Sequence, residues 1–120
     1  MLENFYTIKN VFSSDKHLVE VELNASHPIY KGPFPGNPVM PGVCMTQVVK
    51  ELTEHITGKK LQLVTGDNLK FTAVLNPNEH SNVNVSISFK TKENGLLHTD
   101  AGISSGDISF FSFKGSFRSI

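Results

Sequence analysis

Cysteine occurs once in this 120-residue sequence, at Cys44, so no disulfide can close within the chain. Net charge is missing as well, because Lys plus Arg and Asp plus Glu number eleven each. A surface for nucleic acid or for an anionic membrane needs a concentrated basic patch, and this balance leaves no excess to build one. Apolar runs extend only a few residues, far short of the roughly 20 that span a bilayer. The N-terminus, MLENFYTIKN, has no basic stretch followed by an apolar one, so no signal peptide is expected. Together these absences point to a soluble, cytoplasmic protein that binds neither nucleic acid nor membrane. A chain near neutrality also does little to repel its own copies, which is compatible with self-association.

What is present fits one domain over residues 1–120, with no repeat, charge block or linker dividing it. Phe5–Phe12 and His17–Leu23 read as strands joined by a turn at Ser13, Ser14 and Asp15. In the second, Val19, Val21 and Leu23 alternate with Glu20 and Glu22, which puts one face on a core. From Asn24 to Pro38 the prolines and glycines exclude a regular element and predict a stiff, shaped loop. A helix follows, from Val39 or Pro41 to Thr57, with Gly58 as its C-terminal stop. Its apolar face is expected to hold Met40, Val43, Cys44, Val48, Leu52 and Ile56. Beyond it lie only strands. Leu61–Val64 and Asn68–Leu75 flank Thr65-Gly66-Asp67, which is either a turn or a bulge in one long strand. Val83–Phe89 alternates cleanly, Asn94-Gly95 is a two-residue hairpin signal, and Leu96–Ser104 folds back. The last strand, Ile108–Phe117, slips phase between Phe110 and Phe111, which predicts a β-bulge. One helix and an antiparallel sheet that bury each other by wrapping make an α+β architecture.

The segment Phe34-Pro-Gly-Asn-Pro-Val-Met-Pro-Gly-Val43 is long, ordered and unusual in composition. It resembles the loop-to-helix signature of the β-hydroxyacyl-acyl-carrier-protein dehydratases, hot-dog-fold enzymes of fatty-acid synthesis. The strand–strand–loop–helix–strands order is similar over most of the chain. The resemblance implies about six strands wrapped around one central helix. It also implies substrates carried on acyl carrier protein or coenzyme A, a homodimer or higher oligomer, and no cofactor.

Dehydrating a 3-hydroxyacyl thioester needs a base for the C2 proton and an acid for the departing hydroxyl, each worth about 10²–10⁴-fold. The developing enolate oxygen needs hydrogen-bond donors aimed at it. In the family these parts are a histidine before the Phe-Pro-Gly run, a Glu or Asp on the first turns of the helix, and the amide of the glycine at the helix start. Carried over, the glycine is Gly42, the histidine position is Pro33 and the carboxylate position is Gln47. Proline has no proton to exchange, and glutamine can hydrogen-bond a hydroxyl but cannot act as an acid near neutral pH. Phe34, Pro35, Met40, Pro41 and Val43 are the substrate-binding positions that the resemblance implies. The chain therefore keeps the family's loop without its acid–base pair.

Other residues are candidates for that missing chemistry. His27 lies six residues before Pro33; the plainer reading is a loop-start histidine held extended by Pro28. Glu51 is one turn beyond Gln47 and reaches the same face, or pairs with a lysine. Glu54 and His55 read as solvated, and Cys44 as a small buried hydrophobe. His80 and His98 have no ligand-spaced partners, so no metal site is expected. Three functions stay open: a hydro-lyase with reduced or altered activity in acyl-chain synthesis, a non-catalytic acyl-thioester binder paired with an active dehydratase, and an acyl-thioester hydrolase.

Overall fold

A computed structural model describes residues 2–31 and 38–120. Pro33, Phe34 and Pro35, all named above, lie outside the described residues. The elements run β1 (Tyr6–Ser13), β2 (His17–Leu23), a 3₁₀ turn (Pro28–Lys31), α1 (Gly42–Thr57), β3 (Leu61–Phe71), β4 (Asn82–Thr91), β5 (Leu97–Ser105) and β6 (Ile108–Ser119). The six strands form one antiparallel sheet in the order β1-β2-β4-β5-β6-β3.

The alternation in β2 and β4 works as expected. Val19, Val21 and Leu23 sit beside Val83, Val85 and Ile87, all buried, and their intervening polar residues face away. Ile103 of β5 and Phe110, Phe111, Phe113 and Phe117 of β6 extend the same floor. The β6 slip is a bulge, since Ile103 pairs Phe111 and Ser104 pairs Ser109, which leaves Phe110 unpaired. Both neighbouring phenylalanines are thereby buried.

The helix packs onto this floor through Cys44, Met45, Val48, Val49, Leu52 and Thr53. Met45 and Val49 were not among the residues expected there. Val43 was, yet it is 77% exposed. At about 100° per residue, Val43 falls on one stripe with Gln47, Lys50 and Glu54, facing away from the sheet. The sheet instead buries the opposite side of the helix, where Met45 and Val49 lie.

Three local details depart from expectation. Pro28–Lys31 closes a 3₁₀ turn inside the proline-rich loop, because a proline at its first position gives up no N–H that the turn requires. β3 is one long bulged strand, the second of the two readings, shifting register at Leu63/Thr65 and Gly66/Asn68, but it departs from expectation in stopping at Phe71 rather than Leu75. Leu75 instead turns inward, fully buried, and its carbonyl accepts the Met40 N–H at 2.9 Å, which ties the helix start to the loop after β3. The β4–β5 hairpin closes on Lys92 and Leu96, so its loop has three residues with Gly95 at φ 83°. Gly115 is required by packing: a Cβ there would meet the Thr65 carbonyl oxygen of β3.

Candidate active site

The helix start is bare. Pro41 occupies the N-cap with no side-chain cap, and its carbonyl accepts both Cys44 N–H (3.0 Å) and Met45 N–H (3.2 Å). The amides of Gly42 and Val43 then have no helical acceptor, as expected for a first turn. Two N–H groups without a partner among the described residues, at the positive end of the helix dipole, suit a developing oxyanion. Gly42 has a steric reason to be glycine, since a Cβ would stand 2.7 Å from Cε1 of Phe71. That ring is half exposed and stacks on Phe111 at 5.0 Å. Around it Val39, Val43 and Val74 leave apolar surface open beside the helix start.

Along the outward stripe the helix borders a groove of about 730 Å³. Gln47, Glu51 and Glu54 line it on one side, Tyr6 and Ile8 of β1 on the other, with Leu61 at the end. Lys50, Lys59, Lys60 and His55 also line it. Glu51 is the hub. Its Oε1 accepts the Tyr6 hydroxyl at 2.9 Å, and its Oε2 accepts both the Leu2 backbone N–H and Gln47 Nε2 at 2.8 Å. No lysine pairs with it among the described residues. Burial first, then the negative charge and hydrogen bond of Glu51, holds the Tyr6 phenol above its usual value, so Tyr6 is a neutral donor. Glu54 is not merely solvated: its Oε2 accepts the Leu61 N–H at 2.8 Å and stitches the helix end to the start of β3.

The remaining candidates separate from this groove. His27 Nδ1 accepts the Ile29 N–H at 3.1 Å, which leaves its proton on Nε2, donated to the Glu3 carbonyl at 3.0 Å. With its ring also edge-on to Phe5 at 5.2 Å, His27 is committed to holding the loop. Cys44 is buried, and burial pushes its thiol up, so it packs as a protonated hydrophobe. Met40 is buried and Pro41 half-buried at the helix start. Tyr30 could not be anticipated from its place in a loop. It stacks on Phe5 at 5.6 Å with a buried hydroxyl that lacks a partner among the described residues. No cluster of three or more His, Cys, Asp or Glu that could hold a metal occurs among the described residues.

The family model for the ApeI-like dehydratases (ApeI dehydratase) matches residues 9–106, from within β1 to just past the end of β5. The chain belongs to the ApeI-like dehydratase family. Among curated proteins, a 3-hydroxyacyl-[acyl-carrier-protein] dehydratase FabZ from Oenococcus oeni is 26% identical over 104 residues, covering 80% of this chain and 74% of that protein. A second FabZ, from Alkaliphilus metalliredigens, is 35% identical over 79 residues, covering 52% of this chain and 54% of its own length. Of the solved structures, an uncharacterized protein from Erwinia carotovora superposes with a TM-score of 0.66 at 19% identity, covering 95% of this chain and 94% of that one. The dehydratase heterocomplex ApeI:P from Xenorhabdus doucetiae superposes with a TM-score of 0.62 at 17% identity, covering 88% and 89%. These matches establish the hot-dog fold for this ApeI-like chain. No helix among its described residues is long and apolar enough to cross a membrane.

Proposed function

We propose that this ApeI-like chain binds 3-hydroxyacyl and 2-enoyl thioesters, carried on acyl carrier protein or coenzyme A, in fatty-acid or related acyl-chain synthesis. On its own it interconverts them far more slowly than a dehydratase with a histidine and a carboxylate in place. The observation that carries this reading is the pairing of a glycine-led helix start, without a side-chain cap among the described residues, with Gln47 on the outward stripe. The backbone groups that would polarise a thioester carbonyl need no particular side chain and are retained. The groups that would move protons do need one, and at positions 33 and 47 the chain carries proline and glutamine.

A partner fits this reading. β3 ends the sheet, is 11 residues long, and leaves Leu63, Val64, Leu69 and Phe71 exposed. Such an edge offers unpaired backbone groups and apolar side chains to another strand. A second copy of this chain, or a catalytically complete dehydratase, would cover it and the open surface at Gly42. The two-component dehydratase of Xenorhabdus is consistent with the second arrangement.

Calorimetric titration with a 3-hydroxyacyl pantetheine thioester tests the proposal. The expected result is saturable binding with the thioester recovered intact. Absence of binding, or release of free thiol, would overturn it; the latter would make the protein a hydrolase.

A further inference from the structure

Glu51 accepts three hydrogen bonds through its two carboxylate oxygens. Tyr6 holds one carboxylate oxygen, while the Leu2 backbone N–H and Gln47 hold the other. These donors come from the N-terminal segment, from β1 and from the preceding helical turn, so the carboxylate cannot swing without losing several bonds together. The orientation of the Gln47 amide follows from its bond: Nε2 donates to Glu51 Oε2 at 2.8 Å, so its nitrogen faces Glu51. The planar amide then turns Oε1 away from Glu51. Gln47 lines the groove, and Oε1 has no donor among the described residues.

We infer that Glu51 is a positioning residue that locks Gln47 so that its Oε1 accepts the 3-hydroxyl of a bound acyl chain. This rests on the thioester-binding reading above and deepens it by naming which thioester the site selects. A neutral amide oxygen takes a hydroxyl proton in a hydrogen bond and cannot hand one back, so the bound hydroxyl is held rather than expelled. A 2-enoyl or saturated chain has no donor at C3 and leaves Oε1 unpaired. The site therefore discriminates the 3-hydroxyacyl thioester from its dehydrated and saturated counterparts. One neutral hydrogen bond of this kind is worth about three- to tenfold in affinity.

The readout is the ratio of dissociation constants for 3-hydroxyacyl and saturated pantetheine thioesters of equal chain length, measured by calorimetry. Wild-type protein is expected to prefer the hydroxylated chain about three- to tenfold. In Glu51→Gln the new amide can donate to Gln47 as well as accept from it, the lock is lost, and the ratio falls below about twofold. Tyr6→Phe, which leaves two of the three donors to Glu51, gives an intermediate ratio. A general structural defect would weaken both ligands together and leave the ratio where it was.

A second measurement needs no ligand. In the ¹H–¹⁵N spectrum of wild-type protein, one Gln47 side-chain amide proton should be shifted downfield by its carboxylate partner, and the shift should vanish in Glu51→Gln. Equal affinity of wild type for the two thioesters, a ratio unchanged in Glu51→Gln, or an unshifted Gln47 amide would each overturn the inference while thioester binding stands. Failure of wild type to bind either thioester would overturn both together.

Discussion

At the residue scale, Gly42 is set by a neighbour remote in sequence. Alanine there would ordinarily favour a helical first turn over glycine by up to about 1 kcal/mol. Here its Cβ would stand 2.7 Å from the Phe71 ring, which must give up its stacking on Phe111 to move. Gly42→Ala is therefore expected to lower stability, whereas in a Phe71→Ala background the same change should be neutral or stabilising. Urea denaturation of the four proteins measures this reversal of sign, and equal effects in both backgrounds would refute it. The place of Gly42 at the helix start was legible from its motif, but the ring that demands a glycine was not, because nothing in the sequence links positions 42 and 71. The same holds for Glu51, whose partners Leu2 and Tyr6 lie more than 40 positions away. Only folding brings them together.

At the element scale, strands were readable to the degree that one face is buried. β2 and β4 alternate because both lie mid-sheet over the helix. β3 sits at an edge with only Leu61 buried, so its sequence carries no period, and its two bulges broke it into apparent pieces. The helix boundaries were legible from Pro41 and Gly58, the latter in the left-handed region at φ 71°. Its buried face was read with Val43 in place of Met45 and Val49, because which arc of the helix meets the sheet is decided by the folded strands and not by the helix sequence. The joint between α1 and β3 depends on Glu54, whose carboxylate accepts the Leu61 N–H. Glu54→Ala should cost roughly 1 kcal/mol in denaturant unfolding, and Glu54→Gln, which keeps an acceptor, clearly less. Equal losses would assign the effect to something other than that hydrogen bond.

At the scale of the whole molecule, both tyrosines of the chain are buried enough for their phenols to be held above the usual value near 10. For Tyr6 the carboxylate of Glu51 adds to burial, and for Tyr30 the neighbouring Cys44 does. The unfolded chain releases these protons near pH 10 while the folded chain keeps them. Above that pH the unfolded state binds fewer protons, so stability falls as pH rises further. Tyrosinate absorbance should accordingly appear only together with the loss of far-ultraviolet circular dichroism. A separate titration near pH 10 in folded protein would contradict this.

The proposed function joins a hot-dog scaffold to a site whose family positions for proton transfer are occupied by Pro33 and Gln47. The most direct measurement of that claim follows conversion of a 3-hydroxyacyl to a 2-enoyl carrier thioester by wild type and by Pro33→His combined with Gln47→Glu. The double variant is expected to gain turnover of at least about 10²-fold over wild type, the lower end of what one positioned acid or base supplies. Wild-type protein that turns the substrate over as fast as the double variant would contradict it.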